Sequence, residues 1–238
     1  MIDGVGDSAA RYNFFEAQCR KMALEPERLV LDESVFSSET ATNTNNKMIA
    51  DTLHAKGIIE KDPNVALDAY TRACSMRVTA EDAAVMAATF ANRGVNPVTG
   101  ESAMSEDLTN HTVTVMMSCG MYNGAGRWIV DVGIPAKSGV AGLIMCVVPG
   151  VCGFAVFSPR LDANGNSTRG VLVAAAMSET LGLHVLKQQD RRPEQGKTHS
   201  DRHTDRSTNS IGGDKSPHRA GKSAKAGKHA DKVHPVDL

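Results

Sequence analysis

Five cysteines, eight histidines and one Lys-Ser-Gly tripeptide are the residues of this 238-residue chain whose types most readily suggest chemistry. Cysteine and histidine together can hold a metal ion, most often zinc, when they recur at short fixed spacings. Cys19, Cys74, Cys119, Cys146 and Cys152 are odd in number, form no Cys-x-x-Cys pair and sit within apolar stretches. They read as reduced core thiols of a cytoplasmic protein. His199, His203, His218, His229 and His234 are irregularly spaced in a polar tail without cysteine, so no metal site is expected. Lys137-Ser138-Gly139-Val140 stands at the start of a strand-like run and by itself reads as a turn. Taken singly, Glu39 reads as a solvated loop acid and Asn46 as a helix cap. Tyr70 and Tyr122 read as half-buried packing residues, and Val140 as strand core.

These residues must be positioned by helices in the first two-thirds of the chain and strands in the last. Residues 14–22 form a weak amphipathic segment. Residues 45–56 carry Met48, Ile49 and Leu53 at helical spacing and stop at Gly57. A helix over 64–74 follows Pro63, with Val65, Leu67, Tyr70 and Cys74 apolar. Residues 79–92 give the clearest helix: Thr79 can cap it, Glu81 and Asp82 complement its N-terminal dipole, and Gly94 ends it. Ser105 opens another helix to about Met117. Beyond Gly120 the β-branched and apolar runs 127–132, 141–148 and 152–158, separated by turn-rich stretches, predict a three-stranded antiparallel meander. Residues 162–166 form a turn. A final amphipathic helix over 168–186 turns Val171, Val173, Ala176, Leu181 and Val185 inward. The order of elements predicts an α+β fold, an α/β sandwich with the last helix lying on the sheet.

Apolar residues make up 41% of the chain, enough for a core, and the formal charge is -1. That balance argues against a nucleic-acid or membrane-surface binder. It averages two unlike parts. Residues 187–238 hold 12 Lys and Arg against 7 Asp and Glu, a net of +5, whereas residues 1–186 hold 14 against 20, a net of -6. The tail has too few large apolar side chains to offset its ordering entropy, so 1–186 is expected to be the folded domain and 187–238 a disordered basic tail. The longest apolar run, 140–148, is far short of the roughly 20 residues that span a bilayer. No secretory signal is visible at the N-terminus, which favours a cytoplasmic location.

Read together, several motifs carry more than any one of them. Cys119-Gly-Met-Tyr-Asn-Gly-Ala-Gly-Arg-Trp-Ile-Val-Asp-Val-Gly-Ile-Pro-Ala-Lys-Ser-Gly-Val140 strongly resembles the serine-dependent glutaminase family. So do Val147-Val-Pro-Gly150, Ala155-Val-Phe-Ser-Pro-Arg-Leu-Asp162 and Gly165-Asn-Ser-Thr-Arg-Gly170. Upstream, Ser38-Glu39 with Asn46, Tyr70-Thr-Arg-Ala-Cys-Ser75, and Val78-Thr79 through Gly94-Val-Asn-Pro97 continue the likeness, which covers about 29–186. The resemblance implies a β-lactamase/transpeptidase-like fold and hydrolysis of L-glutamine to L-glutamate and ammonia, with no metal or organic cofactor. It implies that Tyr122 assists proton transfer, a role open to a phenol whose pKa a nearby ammonium lowers. It implies that the backbone N–H of Val140 forms half of an oxyanion hole, for which its side-chain type is indifferent. By the same resemblance Glu39 binds the α-ammonium of the substrate. Asn46 and Tyr70 hydrogen-bond its amino-acid end, and Tyr70 also takes part in proton transfer. Lys137 and Ser138 border the cleft. Penicillin-recognising serine enzymes share the Lys-Ser-Gly edge but not the Glu39, Asn46 and Tyr70 spacing.

Nucleophilic acyl transfer needs an activated serine. In the resembled family it belongs to a Ser-x-x-Lys, whose lysine stands one helical turn away. No serine of the 238 is followed by a lysine three residues on; Ser223-Ala-Lys225 has the wrong spacing. The expectation is a C-terminal portion of the domain, lacking the first strands, the nucleophile helix and one substrate-binding asparagine. Such a chain would be inactive alone, a homo-oligomer or the associate of an intact glutaminase. The alternative is a non-catalytic protein that binds glutamine or glutamate. Asn45 stands where the family has Arg, and Ala141 and Leu143 stand where glycines follow the tripeptide.

Overall fold

A computed structural model describes residues 6–187. The tail expected over 187–238 lies, except for Lys187, outside the described residues. Helix α1 (Ser8–Met22) starts where the Asp7 carboxylate accepts the Ala10 amide at 3.0 Å. Strand β1 (Val30–Leu31) leads into α2 (Glu33–Thr42), which Asp32 caps by accepting the Ser34 and Val35 amides. Helix α3 (Thr44–Ala55) follows directly. Helix α4 (Pro63–Cys74) has proline in its first turn, where a missing N–H costs nothing. Strand β2 (Met76–Arg77) pairs antiparallel with β1. Helix α5 (Ala80–Ala91) carries a full capping box between Thr79 and Asp82. Helix α6 (Glu106–Cys119), capped by Ser105, completes the helical part.

The larger sheet has the order β3 (Ala136–Gly139), β4 (Leu143–Val148), β5 (Cys152–Phe157), antiparallel throughout, with Ser138 opposite Ile144 and Met145 opposite Ala155. Between α6 and the sheet lies α7 (Ala125–Asp131), and α8 (Thr168–Leu181) closes the fold. Successive strand residues face opposite ways, so β4 feeds two cores. Ile144, Cys146 and Val148 pack with Trp128, Val132, Ile134, Ala136 and Ala174. Val147 packs from the other face with Ala87, Ala91 and Met116. Burial on both faces explains why β4 reads as one continuous apolar run.

The fold is the expected mixture of helices and a three-stranded meander with a helix on the sheet, but three assignments change. Residues 127–132, read as the first strand, are mostly helix α7. Their β-branched composition is overridden because Trp128 and Val132, four apart, are both buried, and Arg127 pairs with Asp131 at 2.9 Å. The buried Trp128 indole also donates to the Ile134 carbonyl at 2.7 Å. The first strand is instead Ala136–Gly139, and β4 begins at Leu143 after a turn in which the Gly142 amide donates to Gly139. In α8 the inward face is Gly170, Ala174 and Ser178, while Val173 and Leu181 are exposed. Small side chains let that helix lie close on the sheet. Its last turn stops at Leu181, so Val185 lies beyond it. Helix α2 was not anticipated.

The helical layer approaches the sheet most closely at Gly153. A Cβ there would lie 2.0 Å from the Ala88 nitrogen and 2.2 Å from the Ala87 carbonyl carbon, backbone atoms of α5. Gly153→Ala should therefore force α5 away from β5 and cost about 1–3 kcal/mol, as overpacking does. A urea denaturation midpoint equal to that of the unsubstituted chain would contradict this contact.

Candidate functional site

Tyr70 and Cys74 lie four apart on α4, hence on one face, and the Tyr70 hydroxyl hydrogen-bonds the Cys74 sulfur. That bond, the nearby thiol charge and burial push the Tyr70 phenol up to about 12. Tyr122 and Glu39 act on the same phenol by charge. Glu39 itself sits, exposed, on α2.

Tyr122 begins a single 3-10 turn, Tyr122–Gly124, just beyond α6, and has φ 52°. A non-glycine residue in the left-handed region is uncommon and here aims the ring toward β3. The Lys137 ammonium lies 4.8 Å from the centroid of the Tyr122 ring, a cation–π contact. The Val140 amide donates to the Tyr122 hydroxyl. Burial pushes the Tyr122 phenol up, the Cys74 charge adds to this, and the Val140 amide works against it. Lys137 was expected only to border the cleft, and it lies over the Tyr122 ring face. Burial lowers the Lys137 pKa, opposed by the charges of Cys74 and Cys119. Its amine also donates to the Ser138 carbonyl.

One glycine makes this meeting possible. At Gly120, which follows α6, a Cβ would lie 1.8 Å from the Ala136 carbonyl oxygen, and the Ser138 amide donates to the Gly120 carbonyl at 2.9 Å. The helix end is thereby fastened to β3, and Tyr122 is delivered beside Lys137. A cavity of about 570 Å³ has Cys74, Arg77, Gly139, Ala141 and Leu143 among its walls, whereas Tyr70 lines a different one with Arg11 and Phe15. The two residues that depart from the resembled pattern, Ala141 and Leu143, thus face this space.

Of the anticipated site residues, Glu39, Tyr70, Tyr122 and Val140 are linked, and Lys137 joins them. Val140 is 67% exposed, so it is not strand core; its amide is what faces the site. Asn46 is half-buried in the first turn of α3, which packs on α4, but among the described residues no hydrogen bond or charge interaction joins it to the group. Nor is it a cap, since Asn43 holds that position. Ser138 departs from expectation: its side chain is buried on the Ala136 side of β3 and does not border the cleft. The residue missed was Cys74, read as a core thiol. Its spacing of four from Tyr70 was the available signal. Cys74 is exposed, free, and coupled to Tyr70, Glu39 and Lys137. Burial raises its pKa, and the Tyr70 hydrogen bond opposes that rise. Among the described residues no group of three or more His, Cys, Asp or Glu is placed to hold a metal ion, and no helix is long and apolar enough to cross a membrane.

Two aromatic hydroxyls, a carboxylate, an ammonium and a strand-end amide thus act on one another on an α+β scaffold. The glutaminase family model matches residues 1–186, and the chain belongs to that family. It is 51% identical over 157 residues to a glutaminase from a Nostoc species, covering 66% of this chain and 47% of that protein. It is 42% identical to a Yersinia pestis glutaminase over 172 residues, covering 72% and 50%. The chain thus spans about half the length of these relatives. Among solved structures, Mglu in its native form superposes with a TM-score of 0.73 at 38% identity, covering 77% of this chain and 44% of that one. The Bacillus subtilis glutaminase YbgJ, solved as a covalent complex with 5-oxo-L-norleucine, gives 0.71 at 29% identity, covering 75% and 63%. The fold is that of these β-lactamase-like glutaminases.

The thiols give a direct check on the site. Burial pushes Cys19 up to about 12 and Cys146 further, whereas Cys74 and Cys119 are exposed. In the native chain at neutral pH a maleimide should label Cys74 and Cys119 first and reach Cys19 and Cys146 only on unfolding, as peptide mass spectrometry would read. Early labelling of Cys146 would refute the packing of β4.

Proposed function

We propose that this chain carries the amino-acid-binding part of a glutaminase site, for hydrolysis of L-glutamine to L-glutamate and ammonia. The observation that carries the reading is that Tyr70 feels the charges of Glu39 and Tyr122, and Tyr122 the Val140 amide, in a chain of the glutaminase family. In this reading the Glu39 carboxylate takes the α-ammonium. The Val140 amide stabilises the oxyanion that forms as the γ-carbonyl is attacked, where a fixed N–H is most effective. Tyr122, already hydrogen-bonded to that amide, moves a proton beside it. Asn46, half-buried in the first turn of α3, would hydrogen-bond the amino-acid end. The five free thiols, two of them exposed, suit a reducing compartment, so we place the protein in the cytoplasm.

The absence of any Ser-x-x-Lys from the 238 residues favours a second reading, a glutamine- or glutamate-binding protein without turnover of its own, acting with an intact glutaminase or a second copy of itself. On either reading the purified 238-residue chain incubated with glutamine releases ammonia no faster than buffer, while calorimetry detects glutamate binding. Sustained ammonia release would overturn the assignment of inactivity to the isolated chain. Glu39→Gln should weaken glutamate binding about tenfold, the value of a charge-assisted hydrogen bond of ~1.5 kcal/mol. Unchanged affinity would remove Glu39 from the site.

A further inference from the structure

The two edges of the larger sheet are not alike. Strand β3 forms one edge and β5 the other, with β4 between them. The outer side of β3 is occupied. The Ser138 amide donates to the Gly120 carbonyl at 2.9 Å, and Gly120 lies so close that a Cβ there would meet the Ala136 carbonyl oxygen at 1.8 Å. Lys137 adds a charge to that edge, a usual device against further pairing.

The edge of β5 has no such cover. The Ser158 amide donates to the Gly142 carbonyl, so in the alternating antiparallel ladder Val156, Phe154 and Cys152 also bond toward β4. Gly153, Ala155 and Phe157 then turn their N–H and C=O groups outward, where no other element among the described residues bonds them. Cys152-Gly-Phe-Ala-Val-Phe157 contains no charge and no proline. All six residues keep some exposure, and Phe157 is 58% exposed. An edge of this kind is a template for another strand.

Register decides which strand fits. When β5 meets a second β5 antiparallel about Ala155, Ala155 faces its own copy and every outward group of Gly153, Ala155 and Phe157 finds a partner. Phe157 falls beside Gly153 of the other copy, where no side chain opposes the ring. On the opposite face Phe154 falls beside Val156, an aromatic and β-branched pair. Symmetry repeats each contact. We propose that two copies of this chain pair through β5, joining two three-stranded sheets into one of six strands. The guarded β3 edges then lie outermost at both ends, so the assembly closes at two copies. The inference goes beyond the glutamine- and glutamate-binding reading and stands without it.

The test follows the full 238-residue chain by sedimentation velocity over rising concentration. A monomer–dimer equilibrium is expected, with slow hydrogen exchange at the Gly153, Ala155 and Phe157 amides in the dimer. Ala155→Pro deletes an amide that bonds nothing within one copy. Counted over both copies it removes two hydrogen bonds at the centre, which should weaken the dimer about twentyfold. Phe157→Lys changes an exposed side chain, spares the fold where the proline does not, and should weaken the dimer at least about tenfold. A monomer at every concentration would overturn the inference, even if that monomer bound an intact glutaminase, since the edge would then belong to a different partner. So would a dimer in which those three amides exchange freely, or one that neither variant weakens.

Discussion

The approach of Gly120 to Ala136 governs the site. A side chain of any size at that position would collide with the strand carbonyl 1.8 Å away, so the end of α6 reaches β3 only because glycine stands there. From that contact follow the Ser138-to-Gly120 hydrogen bond, the turn at Tyr122, the seat of its ring under Lys137 and the meeting of its hydroxyl with Val140. Strand β4 makes the contact rigid. It is buried on both faces and hydrogen-bonded along both edges, so β3 has a fixed neighbour against which to hold its own position.

Much of this was legible in the sequence because it is written locally. Thr79 and Asp82 form a capping box that can be read three residues apart, and Pro63, Ser105 and the 162–166 turn mark boundaries by backbone chemistry alone. What was illegible depends on burial. Residues 127–132 have strand-like composition, yet Trp128 finds its partners in the core only as a helix. In α8 the choice of inward face was misjudged because large apolar side chains were assumed to point inward. Close packing on a sheet instead selects Gly170, Ala174 and Ser178.

The site divides along the same line. Glu39, Tyr70, Tyr122 and Val140 were found by motif, and each motif fixes position in the chain. Motifs do not fix direction. Only the fold distinguishes Lys137, which faces Tyr122, from its neighbour Ser138, which faces the core. Nor could a list of residues reveal that Cys74 at Tyr70, and burial at Tyr122, leave both phenols harder to ionise than free tyrosine. At neutral pH they enter any reaction protonated, as hydrogen-bonding groups first and as proton carriers only when a stronger charge is brought beside them.

The place of Tyr122 between Lys137 and Val140 ties two elements to one aromatic ring. The ring is met on its face by the strand's lysine and at its hydroxyl by the amide just beyond that strand. A change in the end of α6 and a change in the end of β3 are therefore felt at the same side chain, which makes Tyr122 a single reporter on both.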